Sequence, residues 1–131
     1  MTNCELLENL LKQYSLYKSR IVFLDKQQKS LSKEIYEHIY NETEEIVYTK
    51  KVKEMSEELS RLRYLMNTIE ESIFMVNEID KRYKTIIQKY YIYNVRMEDI
   101  AELLHLSRSR CYELFKESLQ AMSKIMFGNA S

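Results

Sequence analysis

The chain has 131 residues, 45% hydrophobic and 31% charged, and its 20 basic and 20 acidic side chains give a formal net charge of zero. With no proline and a single glycine it lacks the turn residues that sheets need, so an all-α protein is expected. Periodic apolar residues and eleven tyrosines exclude a disordered chain, and the length allows one domain or a small domain with an extended appendage.

Charge is distributed unevenly. Residues 1–80 hold 11 Lys+Arg against 15 Asp+Glu, whereas residues 81–131 hold 9 against 5. A basic excess in the last third favours contact with phosphates there. The opening residues, MTNCELLENLL, carry no basic leader and no long apolar run. Neither a signal peptide nor a membrane span is predicted, and a cytoplasmic location is expected. Cys4 and Cys111 lack metal-ligand spacing and read as free thiols in a reducing compartment.

A first heptad tract comprises Leu7, Leu10, Tyr14, Tyr17, Ile21, Leu24, Leu31 and Ile35, with Gln28 as its polar interruption. His38 falls where a leucine would continue this seam; it reads as a partly exposed histidine near a helix end rather than a pH sensor. Next, Asn41 followed by Glu44 has the form of a helix N-terminal cap, and Glu42, Glu44 and Glu45 suit the positive end of a helix dipole. A chain reversal near residues 40–50 is therefore expected, giving an antiparallel hairpin.

The second tract comprises Val52, Met55, Leu59, Leu62, Met66, Ile69, Ile73, Val76, Tyr83, Ile87 and Tyr90 in one register, with Asp80 the exception. Such a seam predicts coiled-coil packing, and as one helix it would span roughly 57 Å. It needs a partner helix, either the first tract folded back or a second copy of the chain. Residues 77–94 then widen the apolar face through Ile79, Tyr83, Ile86, Ile87, Tyr90 and Tyr91, as suits a helix touching several neighbours. The tyrosines read as core rather than as a base-stacking platform. Asn94 is placed to end this helix in the left-handed conformation.

Arg96 to Phe115, RMEDIAELLHLSRSRCYELF, reads as a helix-turn-helix. Ile100, Ala101, Leu103 and Leu104 give the first helix its apolar side, and Ala101 is small where two crossing helices approach. His105, Leu106 and Ser107 form the turn, and His105 takes the left-handed position that usually calls for glycine. Ser107 caps the second helix. Cys111, Leu114, Phe115, Leu119 and Met122 face inward at three- and four-residue spacing, leaving an outward face of Arg108, Ser109, Arg110, Tyr112, Glu113 and Lys116. The expected boundary lies between residues 77 and 78: a helical oligomerisation region over 1–77 and a DNA-binding domain over 78–131.

Residues 89–122, KYYIYNVRMEDIAELLHLSRSRCYELFKESLQAM, resemble the C-terminal, region-4-like helix-turn-helix of bacterial sigma factors. A helical rod followed by this run looks like the ArpU/RinA-type late transcription regulators of phages and prophages. Tyr91-Ile92, Asn94, Asp99-Ile100-Ala101, Ser107-Arg108, Arg110 and Leu114 carry the resemblance, over about a quarter of the chain. Asn94 and His105 stand where that pattern commonly has glycine, and Arg96 replaces a Ser or Thr cap. The resemblance implies an activator of late, packaging or lysis genes acting near a promoter, beside RNA polymerase, in a bacterial host cell.

The residues themselves point to a sequence-specific DNA-binding regulator that self-associates as a homodimer or larger oligomer. Arg108 and Arg110 are placed for guanine edges or phosphates, Ser109, Tyr112 and Glu113 for bases, and Lys116 for a phosphate; Ser107 chiefly caps, and Arg96 is counted among the DNA-binding residues. A small terminase-like packaging subunit and an adaptor that binds proteins of the transcription machinery without touching DNA are the alternatives. No Gly-rich phosphate loop, HExxH or CxxC spacing is present, so no enzyme, cofactor or metal is expected.

Overall fold

Thr2 starts the first helix. Its hydroxyl accepts the Glu5 N–H at 3.1 Å, and the Glu5 carboxylate accepts the Thr2 N–H at 3.3 Å, a reciprocal capping box that opens α1 (Asn3–Lys12). The computed structural model describes residues 1–38 and 41–128, without the side chains of 35, 36 and 38. Among the described residues it is all-helical: α1 is followed by α2 (Tyr14–His38), α3 (Glu42–Ile79), α4 (Lys81–Ile87), a π turn (Gln88–Ile92), α5 (Met97–Leu103) and α6 (Arg108–Phe127). These elements form two compact units, one of Met1–Ser15 with Asn67–Ser131 and one of Leu16–Met66. The expected boundary at 77/78 falls inside the first.

In the Leu16–Met66 unit, α2 and α3 lie side by side. Arg20 donates to Glu58 at 2.9 and 3.1 Å, and Arg63 to Asp25 at 3.2 Å. Leu24 and Leu59 are buried between the helices, while Tyr17, Ile21, Leu31, Val52, Met55 and Leu62 are half-buried along the same seams. The helices end and begin four residues apart at His38 and Glu42, yet Arg20 meets Glu58 roughly 25 Å along each from that end, so they run in opposite directions. The expected reversal is thus confined to the start of its range: residues 42–50 are helical, and residues 39 and 40, like the side chain of His38, lie outside the described residues. Asn41 opens α3 by accepting the Glu44 N–H at 2.8 Å, with Glu42, Glu44 and Glu45 in the first turn.

The first seam is not one helix. α1 closes at Gln13, and the buried positions become Leu7, Leu11 and Tyr14, with Leu10 only half-buried. This departure has a packing cause: α1 rests against α6 and the π turn within its own unit, so its buried face answers those neighbours rather than the register of α2.

The second seam also breaks. Met66, Ile69, Ile73 and Val76 are buried as expected, but α3 stops at Ile79, which is 60% exposed instead of belonging to the apolar face. Asp80 is the cause. Its carboxylate accepts the Arg82 N–H at 2.9 Å and its backbone is extended, so the one polar residue in the seam caps α4 instead of lying along a continuous helix.

At the end of α4 the backbone widens. Tyr93 N–H reaches back five residues to the Gln88 carbonyl at 3.0 Å, and Val95 N–H reaches the Lys89 carbonyl at 2.8 Å. The extra residue buries Tyr91 and leaves Tyr90 at the edge; both pack with Phe115 at ring-centroid distances of 5.9 and 5.1 Å. Asn94 follows at φ 55°, as expected, and ends the run.

Ile86, Met97, Ile100, Ala101, Cys111 and Leu114 form a buried cluster joining α4, α5 and α6, ringed by Tyr83, Val95, Leu104, Leu106 and Phe115. Leu103, expected in that cluster, is 55% exposed. No described helix is long and apolar enough to cross a membrane.

Candidate nucleic-acid interface

The surface of interest is set by how α5 ends and α6 begins. Arg96 precedes α5 in an extended conformation and makes no side-chain cap; its guanidinium instead reaches forward to Asp99 at 3.2 Å. At the other end, the His105 N–H bonds the Glu102 carbonyl at 3.1 Å and the Leu106 N–H bonds the Ala101 carbonyl at 2.9 Å. This paired closure is the Schellman motif, and it places His105 at φ 56°, where an L residue is held at a cost of about 1–2 kcal/mol. Leu106 then tucks beside the core cluster.

Ser107 opens α6 as the sequence predicts: its hydroxyl accepts the Arg110 N–H at 3.1 Å. The 20-residue helix is anchored by Cys111, Leu114, Leu119 and Met122, all buried, with Phe115 partly so. Burial pushes the Cys111 thiol pKa up, and its nearest polar contact is the Met97 sulfur at 3.6 Å, so it is a packed hydrophobe rather than a nucleophile.

Ser109, Tyr112, Glu113 and Lys116 face solvent, and Tyr112 is 43% exposed. The two arginines do not form one patch. Two residues on a helix are about 200° apart, so Arg108 and Arg110 flank the exposed face from opposite sides. The Arg108 side chain is 63% exposed and ion-paired to Glu98 of α5. Arg110 is less exposed, at 43%, and lies along α6 with Glu113 at 2.9 Å and Glu117 at 3.6 Å. The Glu113 carboxylate raises the Arg110 pKa above its already high value. Glu117 also accepts from the Tyr83 hydroxyl at 3.2 Å, which ties α6 to α4.

The structure thus brings Arg96 and Arg108 together around Glu98, and separates Arg110 from them. Glu98 also lies 4.0 Å from the Arg96 guanidinium. Glu98 and Glu117 are the interface residues that sequence reasoning passes over. The available signal for Glu117 was its position four residues after Glu113 and seven after Arg110; for Glu98, ten residues before its partner, the turn geometry had to be known first.

Among the described residues, no group of three or more His, Cys, Asp or Glu is placed to hold a metal ion. Comparison of the chain with protein-family models, with curated proteins and with solved structures finds no match.

Proposed function

We propose that this chain is a DNA-binding transcription regulator in which α5, its turn and α6 act as a helix-turn-helix. The observation that carries the reading is the Ser107-capped α6, rigidly seated on α4 and α5 along one side and presenting Arg108, Ser109, Tyr112 and Lys116 to solvent along the other. A hydroxyl, a phenol, an ammonium and a guanidinium on the first three turns of a helix are groups that read base edges and grip phosphates in a major groove. The basic excess of residues 81–131 comes from Lys81, Arg82, Lys84 and Lys89 in α4 and the π turn, while residues 96–131 are balanced at five each. Within this reading the excess favours phosphate contact by α4 rather than by α6. The resemblance to sigma-factor and ArpU/RinA-type regulators extends it to a late-gene activator working beside RNA polymerase in a phage-infected or lysogenic bacterial cell.

Self-association is part of this proposal: in the Leu16–Met66 unit α2 and α3 bury Leu24 and Leu59, while Tyr17, Ile21, Leu31, Val52, Met55 and Leu62 stay half-buried and leave seam surface for a second copy. An adaptor that binds protein instead of DNA is the second reading, and one observation favours it: Arg96, Arg108 and Arg110 each have a carboxylate partner within the chain.

The two readings part on whether duplex DNA is retained, and Arg110 tests the composition of the interface. Arg110→Ala is expected to weaken binding to a selected duplex by roughly five- to a hundredfold with helicity unchanged. Unchanged affinity in a gel-shift titration removes Arg110 from the interface, and no retention of any duplex at low salt favours the adaptor.

A further inference from the structure

Glu98 stands between two guanidinium groups that come from different places in the chain. Its Oε1 is bonded to Arg108 at the start of α6, and its Oε2 lies 4.0 Å from Arg96 at the start of α5. Arg96 is also paired with Asp99 at 3.2 Å. Two positive and two negative charges therefore cancel at the junction, and residues 96–131 as a whole hold five Lys+Arg against five Asp+Glu. All four side chains are exposed to between 45% and 76%, so nothing steric keeps a ligand from this spot. Behind Arg96 an open cleft of about 340 Å³ continues along Tyr90, Asn94 and Val95 to Lys12, a further cation contributed by α1.

A carboxylate and a phosphodiester offer a guanidinium the same thing, a pair of oxygens sharing a negative charge, and either meets the guanidinium fork with short charge-assisted bonds. We propose that Glu98 occupies, in the free chain, a backbone-phosphate site formed by Arg96 and Arg108, and that duplex DNA places a phosphodiester there in its stead. The site rests on the DNA-binding reading and adds a ligand class and a control to it. Any duplex must displace Glu98 before gaining these contacts, so weak, sequence-independent binding is penalised. A correct sequence, which adds base contacts along α6, overcomes the same exchange.

The test titrates a labelled duplex of mixed sequence by fluorescence anisotropy at several low salt concentrations. Glu98→Gln is expected to bind about three- to tenfold more tightly than the unmodified chain, with a salt slope steeper by about one. Glu98→Ala should do the same. Glu102→Gln, which removes the same charge from the same helix, should change affinity less than about twofold. Adding Arg108→Gln to Glu98→Gln should abolish the gain. The proposal is overturned if Glu98→Gln matches the unmodified chain, if Glu102→Gln gives an equal gain, or if the gain survives loss of Arg108. If neither the unmodified chain nor Glu98→Gln binds duplex at the lowest salt, the DNA-binding reading falls along with the site; binding without a Glu98 effect removes the site alone.

Discussion

The Tyr91 hydroxyl donates to Glu8 at 3.2 Å, tying the first helix to the π turn 83 residues later in the chain. Tyr14 makes a second tie of the same kind, donating to Glu70 at 2.7 Å. Beside these ties Leu7 and Leu11 are fully buried. The amino-terminal helix is therefore part of the core that positions α6, and its loss should be felt there. Leu7→Ala is expected to lower stability by about 2–4 kcal/mol through lost burial and an unfilled cavity. Chemical denaturation checks this; a change below about 1 kcal/mol would mean that α1 is a loosely held arm.

His105 holds φ 56° because the Schellman closure needs a left-handed residue between Leu104 and Leu106. Glycine adopts that conformation freely but loses more entropy on folding, so the two effects partly offset. His105→Gly should stabilise the chain by about 0.5–1 kcal/mol. His105→Val, β-branched at the same φ, should destabilise it by more than about 1 kcal/mol. Thermal melts of the pair should move in opposite directions, and movement in one direction would deny the turn its strain.

Alkaline pH should loosen the Met1–Ser15/Asn67–Ser131 unit. Burial, then the hydrogen bond to Glu70, pushes the Tyr14 phenol up to about 12. Burial and Glu8 raise Tyr91 likewise. An unfolded tyrosine ionises near about 10, so the folded state holds its protons longer. The associated stability is complete below that pH and is lost as pH rises through the folded value. Denaturation midpoints should fall above a pH of about 10, and Tyr14→Phe should flatten that fall. Equal slopes for the two proteins would show that Tyr14 ionises as easily folded as unfolded.

Much of this fold was legible in the residues, and the failures have identifiable causes. Local rules worked where the chain alone decides the outcome: Ser107 and Asn41 cap their helices, Asn94 and His105 turn left-handed, and Cys111, Leu114 and Met122 face inward. Periodicity misled where a polar residue had two uses. Asp80 looked like a flaw in a long seam, yet one extended residue made it the cap of α4. The π turn gave no periodic signal, because it shifts the register by one residue within an apolar run. Helical spacing is enough to place Ser109, Tyr112, Glu113 and Lys116 on an exposed face, as found, but it does not show the ion pairs that engage Arg108 and Arg110. Helical geometry alone separates Arg108 from Arg110, whereas the carboxylate that meets Arg108 comes across a turn.

On the proposed function, α6 meets duplex DNA through its exposed face. Selection of duplexes from a randomised pool by the purified chain, with sequencing of the retained fraction, tests it most directly. If α6 reads DNA, the unmodified chain enriches one short motif, and that enrichment is lost when Arg108 and Arg110 are both replaced by alanine. A retained fraction as random as the input, or a motif that persists without either arginine, would contradict it.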